Sequence, residues 1–425
     1  MTHFGIICPV SAGHLNPMTT LGYELIRRGH RVTVFNFIDA KDKTLESGLE
    51  FCPIAEQEIP AGTVPEQVKK MGQLRGLAGF RYTVEIFAEK ATLTFKQAPA
   101  ILKKAGVEAL LVDQVSLYGG TLAEFLNIPF VTVCSALMMN REPNIPPFCT
   151  PWEYNPTWKG RLRNKLGYQF LTYLSKPVRG IIADYRRQWN LPLHAHPNEV
   201  YSKLAQLSQQ PAEFEFPRTT LPSCFHFTGP YDNPETRKSV LFPFEKLTGQ
   251  PLIYASMGTI QNQLESVFQT IAAACEGLEA QLVLSLGGGI SPESIPQLPG
   301  NPIVVGYAPQ LELLQKATLT ITHAGMNTTM ECLKNGVPMV AIPVTNDQPG
   351  VAARIAWTGV GEVVPLKQLS VPNLRTAIQK VLGEESYKQR VIALQEAIQR
   401  AGGVSRAADI IEQVVLTGKP VLAFL

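Results

Sequence analysis

The chain alternates short β-rich runs with longer helical stretches twice over, once in each half, and this double alternation most restricts the folds open to it. Strands separated by helices pair in parallel and need helices on both sheet faces, so each half reads as one doubly wound sheet. In the first half, Phe4-Gly-Ile-Ile-Cys-Pro-Val10 reads as a buried strand, residues 17–28 as a helix and 31–37 as the next strand. Arg28-Gly29-His30 between them is a helix stop followed by a turn. A strand over 109–113, a helix over 117–126 and a strand over 130–134 follow. The second half restarts with a strand over 252–256, a helix over 264–278 and a strand over 281–286 that ends in Gly287-Gly288-Gly289. Strands over 303–305, 319–322 and 339–342 then alternate with helices over 311–316 and 328–334. The stretch 218–250 is rich in proline and glycine and reads as the end of the first domain plus a linker. The chain thus divides into a domain over 1–217, a linker region over 218–250, a domain over 251–403, and a helix and tail over 404–425.

At 425 residues the chain is too long for one compact core and suits two domains. Thirty-eight basic against thirty-five acidic side chains leave +3, which offers no general grip on nucleic acid. No apolar run reaches the roughly 18–20 residues that span a bilayer. The N-terminus leads straight into the first strand without a signal-peptide pattern, and the seven cysteines are scattered from Cys8 to Cys332 with no Cys-x-x-Cys pair. Reduced thiols in a cytoplasmic protein are expected, with no structural zinc. The absence of Asp-x-Asp weakens any mechanism that needs a bound divalent ion.

Polar residues at strand ends are the candidates for chemistry, because ligands of doubly wound sheets bind outside the carboxyl ends of the strands. His14, in Ser11-Ala-Gly-His-Leu-Asn-Pro17, sits between the first strand and the first helix. An imidazole there accepts a proton near neutral pH, although a turn or helix-capping role is equally open. Asp113 ends an apolar strand, so its carboxylate emerges at the same edge and could fix the tautomer of His14. Its plainer alternative is an N-cap. In the second half, Ile321-Thr-His-Ala-Gly-Met-Asn-Thr328 is strand, glycine turn and helix start. Exposed amides at such a helix start suit a phosphate. His323 would add a hydrogen bond, Asn327 and Thr328 would cap the helix and face the anion, and Glu331, one turn on, would accept from ribose hydroxyls. Asp347-Gln348 follows the next strand and would bind sugar hydroxyls.

This block resembles the donor signature of the family 1 UDP-glycosyltransferases of GT-B fold. It is carried by Val305-Gly-Tyr-Ala-Pro-Gln310, His323-Ala-Gly-Met-Asn-Thr328, Glu331, Gly336-Val-Pro338 and Asp347-Gln348, about fifty residues in all. The His14 loop, Asp113 and the strand end Ser256-Met-Gly-Thr259 also match, so the resemblance covers nearly the whole chain. It implies two facing Rossmann-like parallel-sheet domains, with a C-terminal helix crossing back to the N-terminal one. It further implies that His14 is the general base and Asp113 orients it. Tyr307 would stack on uracil, Ala308 and Gln310 would contact base and ribose, and Glu331 would hold the ribose. Thr259, His323, Asn327 and Thr328 would bind the diphosphate, with Gly258 and Gly325 shaping that site, and Asp347 and Gln348 would hold the hexose. Many plant members carry tryptophan where this chain has Tyr307. The implied reaction is metal-independent inverting transfer from UDP-glucose, with no cofactor.

Further matches resemble bacterial zeaxanthin glucosyltransferases: Asn140-Arg-Glu-Pro143, Ala205-Gln-Leu-Ser-Gln209, Phe225-His226 before Gly229-Pro230, Asp347-Gln-Pro-Gly-Val351 and Ala408-Asp-Ile-Ile-Glu-Gln413. They imply an apolar hydroxylated acceptor, a carotenoid. A flavonoid, polyketide or macrolide acceptor is the runner-up, and a UDP-sugar epimerase or a non-catalytic sugar-nucleotide binder stands further off. The stretch 159–187 holds eight basic residues against the single acid Asp184, interleaved with Leu162, Leu166, Phe170, Leu171, Tyr173 and Leu174. It reads either as a basic amphipathic segment resting on a membrane or as a helix pair walling the acceptor cleft. His194-Ala-His196 has metal-ligand spacing but no third ligand, and reads as a loop pair. Phe148, Trp152 and Trp158 line an acceptor pocket or simply pack.

Overall fold

The computed structural model describes residues 1–74, 76–236, 240–258, 265–288 and 290–423. Each half of the chain builds one parallel sheet. The first comprises β1 (His3–Ile7), β2 (Arg31–Asn36), β3 (Glu50–Pro53), β4 (Ala109–Asp113), β5 (Phe130–Cys134), β6 (Gln206–Ser208) and β7 (Phe225–Phe227), in the spatial order β3-β2-β1-β4-β5-β6-β7. The second comprises β8 (Leu252–Ser256), β9 (Gln281–Ser285), β10 (Ile303–Val305), β11 (Ala317–Thr322), β12 (Met339–Ala341) and β13 (Gly361–Val363), in the order β10-β9-β8-β11-β12-β13. Every neighbouring pair is parallel. In both sheets the strand order reverses beside the first strand, at β1/β4 and at β8/β11, and such switch points open a crevice at the carboxyl edge.

The helices of the first half are α1 (Ala12–Arg27), α2 (Lys41–Glu46), α3 (Thr63–Gln73), α4 (Gly76–Ala105), α5 (Gly119–Leu126), α6 (Trp158–Leu174) and α7 (Lys176–Gln188). The second half has α8 (Glu265–Cys275), α9 (Gln310–Leu314), α10 (Met326–Lys334), α11 (Gln348–Thr358), α12 (Val371–Gly383) and α13 (Glu385–Ala401), and α14 (Gly403–Thr417) follows. Several sequence boundaries shift, the first strand for one ending at Ile7 and not at Val10, and two of the shifts matter for the site and the domains. Helix α1 begins at Ala12 rather than near Pro17, which lies inside it, so His14 stands in the first helical turn and not in a loop. Strand β7 falls inside the proline- and glycine-rich stretch and completes the first sheet, so the first domain extends past residue 217. Three residues at a sheet edge are too few to show a periodicity.

Strands β1, β4 and β5 are buried along their whole length, which is why they read as unbroken apolar runs. Helix α14 returns to the first domain: Ala407, Ile411 and Val414 share a core with Leu15, Met18 and Leu25 of α1. Full burial of each Ile or Val is worth about 1.5–3 kcal/mol. Arg28 at the end of α1 clamps the outer side of α14, donating to Asp409 at 2.7 Å and to Glu412 at 2.6 Å. The tail is pinned where His226 Nε2 meets the Val421 carbonyl at 3.0 Å.

A second anchor joins the two halves. Arg354 on α11 is buried and donates through Nε to Glu215 Oε1 at 3.0 Å, while its guanidinium lies 4.3 Å from the Phe216 ring centroid. Gln210 donates to the other Glu215 oxygen at 2.8 Å. Removing one member of such a pair leaves an uncompensated buried charge, at a cost of about 3–5 kcal/mol.

Candidate active site

The carboxyl edges of the two sheets face a common cavity of about 760 Å³. Its walls come from both switch points. On the first-domain side, Asp113 ends β4, and His14 lies one turn into the helix that follows β1. His14 Nδ1 and Asp113 Oδ2 are 2.9 Å apart, with Asp113 fully buried and the imidazole partly open to the cavity. A carboxylate only accepts, so Nδ1 carries the proton and Nε2 presents its lone pair. Asp113 Oδ1 takes the Val115 amide at 2.9 Å, which holds the carboxylate in place; it does not cap α5, which starts at Gly119. Burial pulls the His14 pKa down, but the charge and hydrogen bond of Asp113, with Asp347 beyond, more than reverse this and leave it raised.

Across the cavity, β11 ends at Thr322 and α10 starts at Met326. The turn between them holds Ala324 at φ +62°, a left-handed conformation that side chains disfavour. His323 is aimed into the cavity here, and two glycines make room for its ring. A Cβ on Gly325 would come within 2.4 Å of His323 Nε2, and one on Gly258 within 2.6 Å of it. Burial pushes the His323 pKa down to about 4, against a weak pull from the Ser256 carbonyl, and the Nδ1 atom has no hydrogen-bond partner among the described residues. At neutral pH this ring is uncharged and donates one N–H. The α10 N-terminus points its free amides the same way, and no side chain caps it.

Asn327 and Thr328 therefore do not cap the helix, contrary to the sequence expectation. Both line the cavity, and Asn327 reaches across it. Its Nδ2 donates to the Gly13 carbonyl at 3.0 Å, and its Oδ1 accepts from Gln209 Nε2 at 2.7 Å. The Gly13 carbonyl is available because Pro17, four residues on, has no N–H to give it. Thr328 is tied to Gln310, whose Nε2 lies 3.3 Å from Thr328 Oγ1 and 2.5 Å from Glu331 Oε2, while Tyr254 Oη donates to Gln310 Oε1 at 3.0 Å. Gln310 thus orients Glu331, which lines the cavity as expected.

Tyr307 and Ala308 also line the cavity, and Tyr307 is 55% exposed. A Cβ on Gly288 would stand 2.1 Å from the Tyr307 hydroxyl, so Gly288 makes room for this ring. Asp347 lines the cavity and accepts from the Leu137 amide at 3.0 Å. Burial raises its pKa, while that amide and His14 pull the other way. Gln348 is placed differently from its neighbour. Its Oε1 takes the amides of Val344 and Thr345 at 2.9 and 3.0 Å, so it closes the loop before α11 and is not among the residues lining the cavity. Thr259 lies outside the described residues. Of the other candidates, His194 and His196 sit in a loop, where His196 Nδ1 accepts from Asn198. Phe148 lines the cavity, Trp152 packs under Arg163 and Trp158 is exposed.

Sequence reasoning missed Gln209, Leu137 and Tyr254. The first sits in a quoted motif without an assigned role, the second acts through its backbone, and the third looks like an ordinary strand residue. It also missed an apolar arm that the cavity sends between α3, α4 and α7, lined by Val68, Phe80, Val84, Phe87 and Ile182. Lys90 in that arm lies 5.2 Å from the Phe37 ring centroid, and burial pushes its pKa down to about 8.

Comparison with known proteins decides the family, since the model for UDP-glucoronosyl and UDP-glucosyl transferases matches residues 6–400. The chain belongs to this family. It is 33% identical to a zeaxanthin glucosyltransferase of Pantoea ananas over 100% of this chain and 98% of that one. It is 31% identical to the zeaxanthin glucosyltransferase of Pseudescherichia vulneris, covering 98% of both. Among solved structures, the glycotransferase of kitacinnamycin superposes with a TM-score of 0.77 at 23% identity, covering 97% of this chain and 99% of that one. The protein is a UDP-glycosyltransferase of GT-B fold, and the cavity between its two sheets is the place where such a fold holds its ligands.

Proposed function

We propose that this UDP-glycosyltransferase moves glucose from UDP-glucose to a hydroxyl of an apolar acceptor, a carotenoid of the zeaxanthin type, with inversion and without a metal ion. The observation that carries the proposal is the His14–Asp113 pair, set at 2.9 Å, opening onto the same cavity as the α10 N-terminus and the apolar arm. His14 Nε2 takes the proton from the acceptor hydroxyl as its oxygen attacks the anomeric carbon, and Asp113 stabilises the imidazolium. Attack comes from the face opposite the leaving diphosphate, so the configuration inverts. Negative charge grows on the diphosphate, where the His323 N–H and the amides of α10 receive it. Tyr307 stacks on the base, Glu331 takes the ribose hydroxyls and Asp347 the hexose.

The carotenoid acceptor rests on the apolar lining of the arm and on the two zeaxanthin glucosyltransferases at 33% and 31% identity. The protein works in the cytoplasm, touching the membrane peripherally through part of 159–187. The test is incubation with UDP-glucose and a panel of zeaxanthin, flavonols and macrolides, read by product mass. A hexose added to zeaxanthin, with UDP released only when acceptor is present, supports the proposal. Transfer confined to flavonols or macrolides overturns the carotenoid acceptor, and UDP-glucose epimerisation without transfer overturns the reaction.

A further inference from the structure

Helix α6 turns one face to the cavity and leaves the other bare. Tyr168 and Leu171 line the cavity, and Asn164 beside them is buried. On the outer face stand Trp158, Leu162, Leu166, Phe170 and Tyr173, each 49–70% exposed. Their spacing of four and three residues aligns them in one stripe along the helix. They are five of the seventeen large apolar side chains exposed among the described residues, so the stripe is a concentrated patch and not the usual scatter.

Basic side chains flank the stripe. Lys159, Lys165 and Lys176 are exposed and make no ion pair among the described residues. Among the described residues the Arg161 and Arg163 side chains hydrogen-bond to Asn144, Asn164 and the Glu153 carbonyl, and Arg163 also lies over the Trp152 ring. The sequence from residue 158 to 183 contains no acid, though Glu153 lies near Arg163. The other basic residues of α7, beyond Lys176 at its start, are already engaged or face inward. Arg186 holds Glu124 at 2.7 Å, Arg187 holds Asp184 at 2.6 Å, and Arg179 lines the cavity.

We propose that the outer face of α6 seats the protein on a bilayer surface rich in anionic lipid. The apolar stripe enters the acyl boundary, the flanking lysines meet the headgroups, and Trp158 and Tyr173 at its two ends suit the interface that such rings prefer. A second copy of the chain is the poorer occupant. A two-fold contact through α6 would bring one basic helix against another with no acid to offset them. The inner face of the same helix lines the acceptor cavity, so docking brings that cavity next to the lipid phase in which a carotenoid dissolves. This delivery step rests on the proposed apolar acceptor; the docking itself does not.

The experiment is flotation of the full chain with vesicles of phosphatidylglycerol and phosphatidylcholine, and with phosphatidylcholine alone, at low salt. The protein is expected to float with the anionic vesicles and to bind neutral ones much more weakly. Leu162→Glu/Leu166→Glu/Phe170→Glu should reduce the bound fraction by about tenfold or more, with unchanged Tm and unchanged transfer to a water-soluble hydroxylated acceptor in vesicle-free buffer. Lys159→Glu/Lys165→Glu/Lys176→Glu should remove the preference for the anionic lipid. Failure of the wild type to float, binding that both variants retain, or a wild-type dimer that the leucine variant turns into a monomer without any vesicle binding would each overturn docking. Absence of transfer to every acceptor tried would sink the proposed reaction and leave the flotation result standing.

Discussion

The two histidines of the cleft occupy related places and are tuned in opposite directions. His14 follows β1 and His323 follows β11, each at the switch point of its own sheet. His14 has a buried carboxylate on its inner nitrogen, and its pKa is raised despite burial. His323 has no acid acting on it among the described residues, and burial takes its pKa to about 4. One ring is set to take up a proton, the other to stay neutral and donate a hydrogen bond. In the proposed mechanism two half-molecules of related topology thus divide the chemistry chiefly through Asp113, with Asp347 beyond it.

The strongest way to break this comparison is His14→Ala. It should lower kcat by about a thousandfold while leaving UDP affinity intact, as read by steady-state rates and by calorimetry with UDP. Unchanged turnover would reject the base assignment. Asp113→Asn should cost about a hundredfold and also move the pH profile. In the wild type, kcat/KM should fall as pH drops through a midpoint above the ordinary histidine value of 6.5, because deprotonated His14 is the active form. In Asp113→Asn the largest surviving influence is burial, so the midpoint should move downward. Stability runs the other way: the His14–Asp113 contact contributes most below the unfolded-state pKa and is lost as pH rises through the folded one.

His323→Ala should lower kcat by up to about a hundredfold, by removing one donor to the leaving diphosphate, and should leave the acidic limb where it is. A shift of that limb would mean that His323, not His14, titrates in the rate. The smallest effect is expected for Tyr307→Ala, a loss of about tenfold in apparent donor affinity from lost stacking, with kcat little changed.

The conditions that bind the two domains together also bear on the donor wall. Asn327 is held by Gly13 and Gln209, and Asp347 by Leu137, all from the first half of the chain. Two residues expected to hold the donor are therefore part of the domain contact. A donor that engages them competes with bonds that now close the cleft.

Much of this was legible in the residues. Strands β4, β5 and β8 have the bounds that their apolar runs suggested, because a parallel strand buried on both faces reads as a near-continuous apolar run. The His14–Asp113 pairing was legible as topology, since two adjacent strands at a switch point put their ends side by side. Helix α1 was misplaced at its start because Pro17 looks like a first helical residue and is instead an interior one, whose unmatched carbonyl partner is taken by Asn327. Gln348 turns its oxygen to the Val344 and Thr345 amides, and sequence order cannot say which of two neighbouring polar side chains faces the cavity. The apolar stripe of α6 was visible as composition, but which of its leucines are bare and which line the cavity was not.

The alternation of strands and helices in each half, the long apolar strands and the identity of the polar residues at their ends came from the sequence alone, since periodicity and side-chain chemistry are local properties. The protonation tuning of the two histidines, the crossing of Asn327 to Gly13 and the bare face of α6 came only with the tertiary structure. Each depends on what another segment of chain brings within a few ångströms, or fails to bring, and burial and charge act through that distance.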